Sequence, residues 1–136
     1  MSNSINPQSL SVDSLITDLK SLGYIADRGL ATSIFISMKL GKPILLEGEV
    51  GVGKTELAKT LAALYGRQLI RLQCYEGIDT NHALYEWDYA RQMLQIRAMN
   101  QADDTQASVE TLFGPQFLIE RPLLQAIRAG DQCVLL

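Results

Sequence analysis

Apolar residues recur at helical spacing early in the chain. In SVDSLITDLKSLGY, Val12, Leu15, Ile16, Leu19 and Leu22 share one face. This predicts a helix with Ser11 or Asp13 as its cap and Gly23 as its stop. ADRGLATSIFISMKLGKP predicts a second helix, apolar at Leu30, Ile34, Ile36 and Met38. It should end at Gly41, because Pro43 has no N–H to continue it. The pattern then changes. PILLEG has no polar alternation and predicts a short, buried parallel strand. KTELAKTLAALYG returns to helical spacing, with Leu57, Leu61 and Leu64 as its stripe and Gly66 as its C-cap. RQLIRLQC predicts a second strand with Ile70, Leu72 and Cys74 on one face. Strand, glycine-rich loop, helix and strand in succession make a βαβ unit, so an α/β fold with a parallel sheet is expected.

Beyond Cys74 the periodicity is mixed. Tyr85, Trp87 and Tyr89 alternate like a strand, while Leu84, Trp87, Arg91 and Leu94 fit a helix; both readings stand at this level. A helix is expected around Met93–Met99 and a polar loop tip at NQADDTQASVE. RPLLQAIRAG predicts a helix with Pro122 in its first turn and Gly130 after it, and QCVLL a third strand. Residues 1–9 read as a disordered leader. No internal repeat is visible.

A chain of 136 residues suffices for one modest domain. The net charge of -3 argues against a nucleic-acid partner, because such domains neutralise phosphates with a basic surface. No apolar run is long enough for a membrane span. The polar N-terminus lacks the basic and apolar regions of a secretory signal, so a cytoplasmic protein is expected. Cys74 and Cys133 lie in apolar runs and are expected to be reduced, buried thiols. His82 has no clustered partners, so no zinc-type metal site is expected.

The chemistry concentrates in GEVGVGKT, Gly48 to Thr55, which matches the phosphate-loop pattern G-x-x-x-x-G-K-[ST]. Its flanks, an apolar run before and a helix after, are the context that pattern requires. The candidate cofactor-binding run is Gly48, Glu49, Val50, Gly51, Val52, Gly53, Lys54, Thr55 and Glu56. Glycines let the backbone turn consecutive N–H groups around an oxyanion. The helix start adds free N–H groups and the positive end of its dipole. Lys54 brings a mobile charge to the β- and γ-phosphates and is the candidate catalytic residue. The Thr55 hydroxyl is the candidate ligand for Mg2+. ATP and Mg2+ are the cofactors this implies. The carboxylates of Glu49 and Glu56 should face solvent, away from the phosphates.

GKPILLEGEVGVGKTELAKTLA, followed by RLQCYEGIDTNHALYEWDYARQML and FLIERPLLQAIRAG, resembles the MoxR group of AAA+ ATPases, and most of all its CoxD-like branch. The phosphate loop is common to many families; QCYEG and ERPLL are more specific. The resemblance implies a P-loop NTPase core of three layers, αβα, over residues 10–136, with a family insertion at about 80–118. It implies Mg-dependent ATP hydrolysis in a ring, usually a hexamer, that remodels or matures a client. It further implies a partner with a von Willebrand factor A domain and a metalloenzyme client. GYIAD lies where adenine packs in the family, making Ile25 the candidate contact; Ile25 as plain core is the alternative. Glu76 could approach the nucleotide or be a surface loop residue. Arg121 could face a neighbouring subunit's nucleotide or pair with Glu120 or Asp131. YEWDYAR is read as packing under the insertion, since Glu86 and Asp88 disfavour a base-stacking surface. The family's acidic pair follows a strand like QCVLL, where this chain stops. The expectation is therefore a fragment that binds nucleotide and is deficient in hydrolysis, the alternative being an interaction fragment without turnover.

Overall fold

The computed structural model describes residues 11–101 and 112–136. The expected leader over 1–9, and the expected loop tip beyond Gln101, lie outside the described residues. In chain order the elements are α1 (Val12–Ser21), α2 (Arg28–Leu40), α3 (Lys54–Tyr65), β1 (Gln68–Ile70), α4 (Thr80–Leu84), β2 (Tyr85–Trp87), α5 (Tyr89–Gln101), β3 (Leu118–Glu120), α6 (Pro122–Ala129) and β4 (Cys133–Leu135). They fall into two compact units. One is the chain to Ile70 together with Asp131–Leu136; the other is Arg71–Gly130.

In the first unit, local chemistry starts and stops each helix. The Ser11 hydroxyl accepts from the Ser14 N–H at 3.1 Å, and the Ser14 hydroxyl accepts from the Ser11 N–H at 2.9 Å. This reciprocal pair satisfies donors that the start of α1 leaves open. The Asp27 carboxylate caps α2 by accepting from the Leu30 N–H at 2.6 Å. α3 stops at Gly66, at φ +60°, where the Arg67 N–H reaches back to the Ala62 carbonyl at 2.8 Å. A left-handed residue is what permits that return, and glycine adopts it without strain.

Leu15, Leu19, Ala31 and Ile34 bury between α1 and α2, and Leu57 of α3 joins the same cluster. Burying each of the larger side chains contributes roughly 1.5–3 kcal/mol. This core therefore holds α3, and the loop that leads into it, against the α1–α2 pair. Not every expected apolar position is used: Ile36 is exposed.

The parallel sheet is present, formed by a different pair from the one expected. β1 runs parallel to β4, with Gln68 opposite Cys133 and Ile70 opposite Leu135. The PILLEG segment is not a strand, and Leu45 is 82% exposed. A strand needs a neighbour about 4.8 Å away. Here a cavity of about 570 Å³ is lined by Pro43 and Ile44 as well as by Cys133, Val134 and Leu135. Among the described residues no strand pairs with the segment. β1 is also shorter than expected. Leu72 is half-buried and Cys74 is exposed, so Cys74 is not a buried thiol; Cys133 is half-buried.

In the second unit, the ambiguous aromatic stretch resolves into both alternatives. Tyr85–Trp87 is a strand antiparallel to β3, with Glu86 opposite Ile119, and Tyr89 begins α5. The Asp88 N–H donates to the Phe117 carbonyl at 2.8 Å and closes the ribbon. Trp87 packs edge-on against Tyr85 and Phe113, with centroids 5.9 and 5.2 Å away. α6 begins with Pro122 in its first turn, as expected. The fold class is α/β with a parallel sheet, consistent with a P-loop NTPase αβα architecture.

Candidate nucleotide site

The loop from Glu47 to Gly53 leads directly into α3. Its backbone is left-handed at Gly51, φ +90°, and at Gly53, φ +91°. A residue with a Cβ is strained at such angles. A Cβ on Gly51 would meet nothing within 4 Å, so that side of the loop is open to close approach. On Gly53 it would lie 3.6 Å from Cε2 and 3.9 Å from the hydroxyl oxygen of Tyr24.

Gly53 is the N-cap of α3 and provides no side chain to satisfy the helix start. The first helical bond runs from the Leu57 N–H to the Gly53 carbonyl at 3.0 Å. The N–H groups of Lys54, Thr55 and Glu56 make no backbone hydrogen bond among the described residues. Free donors at the positive end of a helix dipole form an anion-binding arrangement. The Lys54 ammonium donates to the Gly48 carbonyl at 2.7 Å and the Glu49 carbonyl at 2.6 Å. The charge therefore sits over the start of its own loop. Val50, Gly51, Gly53, Lys54, Thr55 and Glu56 line an open depression of about 440 Å³, within the range of small-molecule sites. These residues fit a polyphosphate: open approach at Gly51, free N–H donors, a nearby ammonium and an exposed Thr55 hydroxyl.

The family description "AAA domain (dynein-related subfamily)" matches residues 43–135. The chain belongs to this AAA domain family. No solved structure matches it. Membership points to nucleotide binding and ATPase-type activity.

The AAA domain places the other expected residues unevenly. Val50 and Val52 are exposed, as are Glu49 and Glu56. The Glu56 carboxylate accepts from Lys59 at 3.1 Å, which draws it along the helix surface. Ile25 is 87% exposed, so it is not a core residue, and it does not line the depression. Its neighbour Tyr24, which periodicity did not single out, is the side chain found against Gly53. The signal available was its position directly after the Gly23 turn. Arg121 pairs with neither Glu120 nor Asp131. It forms an ion pair with Glu86, and Glu120 pairs with Arg128. Glu76 is exposed. His82 bonds through Nδ1 to the Asp79 carboxylate at 2.8 Å. Among the described residues no group of three or more His, Cys, Asp or Glu could hold a metal ion. Nor is any helix there long and apolar enough to cross a membrane.

Proposed function

We propose that this AAA domain binds ATP with Mg2+ at Gly48–Thr55. The observation that carries this reading is the Lys54 ammonium held over the glycine loop at the uncapped start of α3. The free N–H groups of Lys54, Thr55 and Glu56 would hold phosphate oxygens, with the run Gly48–Gly53 wrapping them. Lys54 would turn from its carbonyl partners to the β- and γ-phosphates, and the Thr55 hydroxyl would be the protein ligand for Mg2+. The bound nucleotide supplies the phosphoanhydride whose hydrolysis drives conformational work.

We read that work as remodelling or maturation of a client in the MoxR manner, within the CoxD-like branch. QCYEG and ERPLL support the MoxR reading. The reading includes a hexameric ring, a partner bearing a von Willebrand factor A domain, a metalloenzyme client and a cytoplasmic setting. Titration with a fluorescent ATP analogue tests the site. Lys54→Ala is expected to weaken binding at least about tenfold, the worth of a lost charge-assisted contact. Equal binding by both proteins would sink the proposal.

A second reading, binding without turnover by this chain, is favoured by the lining of the depression. Its carboxylate is Glu56, which is engaged with Lys59. A phosphate-release assay separates the two readings, and steady release that depends on Lys54 favours the first.

A further inference from the structure

Tyr24 follows the left-handed Gly23, φ +84°, and its N–H donates to the Leu19 carbonyl at 2.9 Å. That bond ties it to the end of α1. Its side chain is half-buried against the cluster of Leu15, Leu19, Ala26, Ala31, Ile34 and Leu57. A Cβ placed on Gly53 would lie 3.6 Å from Cε2 and 3.9 Å from the hydroxyl oxygen of this ring, so the far edge of the ring faces the side of Gly53 on which a side chain would stand. One side chain thus runs from the α1–α2 core toward the residue that caps α3. Gly53 has no side chain of its own to hold its position and no side-chain cap. Its orientation sets where the next three N–H groups point.

We infer that Tyr24 is a positioning residue for the phosphate loop: its ring braces Gly53 and thereby aims the first-turn N–H groups of α3 at the phosphates. The inference rests on the nucleotide-site reading above. It assigns to Tyr24 an effect on phosphate affinity that is the same for every base, because the ring acts through the backbone. The hydroxyl makes no hydrogen bond among the described residues, so the ring is the working part.

The test uses the 136-residue chain and three ligands, ATP, GTP and inorganic tripolyphosphate, titrated calorimetrically. Four proteins are compared: unaltered, Tyr24→Phe, Tyr24→Leu and Lys54→Ala. Leucine keeps apolar bulk against the core and loses the atoms that reach Gly53. Misplaced binding groups can cost tenfold or more, so Tyr24→Leu should weaken all three ligands by about tenfold, in equal proportion. Tyr24→Phe should stay within about twofold of the unaltered chain, as expected when no partner is lost. Melting curves run alongside; a purely structural role would lower the midpoint and leave affinities well below it unchanged. Such an outcome overturns the inference. Loss confined to ATP, with tripolyphosphate unaffected, also overturns it, because the ring would then be reading the base. Lys54-dependent binding that Tyr24→Leu leaves intact overturns the inference alone. Binding that Lys54→Ala leaves intact overturns the site reading and the inference together.

Discussion

The Lys54 ammonium lies 2.7 Å from the carbonyl oxygen of Gly48, so the first helical residue of α3 is bonded to the first residue of the loop motif. With the second bond to Glu49, the side chain closes the loop into a ring. Lys54→Ala should therefore loosen the loop as well as weaken nucleotide binding. The expected cost in stability is about 1 kcal/mol, since both acceptors are exposed and can turn to water. Faster amide exchange across Gly48–Gly53 would be the direct sign, and unchanged exchange would show that the loop holds itself.

Tyr65 offers a stabilising change. Its hydroxyl is buried without a hydrogen-bond partner among the described residues. Burial, and then the negative charge of Asp18, push its pKa above the ordinary 10.0, while Arg67 opposes them. Tyr65→Phe should raise stability by about 1 kcal/mol by removing the unsatisfied group. The Arg67 guanidinium, 5.7 Å from the ring centroid, keeps its aromatic partner. A raised folded pKa means the contribution is present below the unfolded value and lost as pH rises through the folded one. The unaltered chain should thus lose stability above about pH 10, and the Phe variant should lack that component. Melting curves in neutral and alkaline buffer measure both effects.

Gln92 is a polar pin in the second unit. It is 6% exposed, and its Nε2 donates to the Leu112 carbonyl at 2.6 Å. Gln92→Leu keeps the volume and leaves that carbonyl without its donor. The expected loss is about 1 kcal/mol, the net worth of one hydrogen bond to a part-buried acceptor. Urea unfolding provides the measurement, and an unchanged midpoint would mean that water replaces the amide.

Asp79 caps α4. Its carboxyl is held below the ordinary 3.8, first by the His82 backbone N–H and then by the His82 side chain. A depressed folded pKa contributes stability above the unfolded value and loses it as pH falls through the folded one. The start of α4 should stay capped at neutral pH and fray only below about pH 3.8. The His82 amide resonance followed by NMR through that range checks the sign. Asp79→Asn should show no such transition.

Several features were legible because neighbours in sequence produce them. A cap at the start of α1, expected at Ser11 or Asp13 and found at Ser11, the Gly41 and Gly66 stops and Pro122 in the first turn of α6 each involve residues within one helical turn or so. The phosphate-loop pattern was legible for the same reason: its glycines, Lys54 and the α3 N-terminus are contiguous, and the bonds from Lys54 to Gly48 and Glu49 span only a few residues. Both the strand and the helix readings of Tyr85–Arg91 were partly right, because the chain changes from one period to the other at Asp88.

By itself, then, the sequence determined the helices α1, α2, α3 and α6 with the Gly41 and Gly66 stops, the α/β character and the position of the candidate nucleotide loop. Only the tertiary structure decided that β1 pairs with β4 while the PILLEG segment stays outside the sheet. It also decided that Cys74 and Ile25 are exposed, that Arg121 selects the distant Glu86 over the adjacent Glu120, and that the Tyr24 ring faces the side of Gly53 on which a side chain would stand. The physical reason is range. Caps and turns depend on backbone groups a few bonds away, whereas strand pairing, burial and ion-pair choice depend on what distant segments bring within a few ångströms.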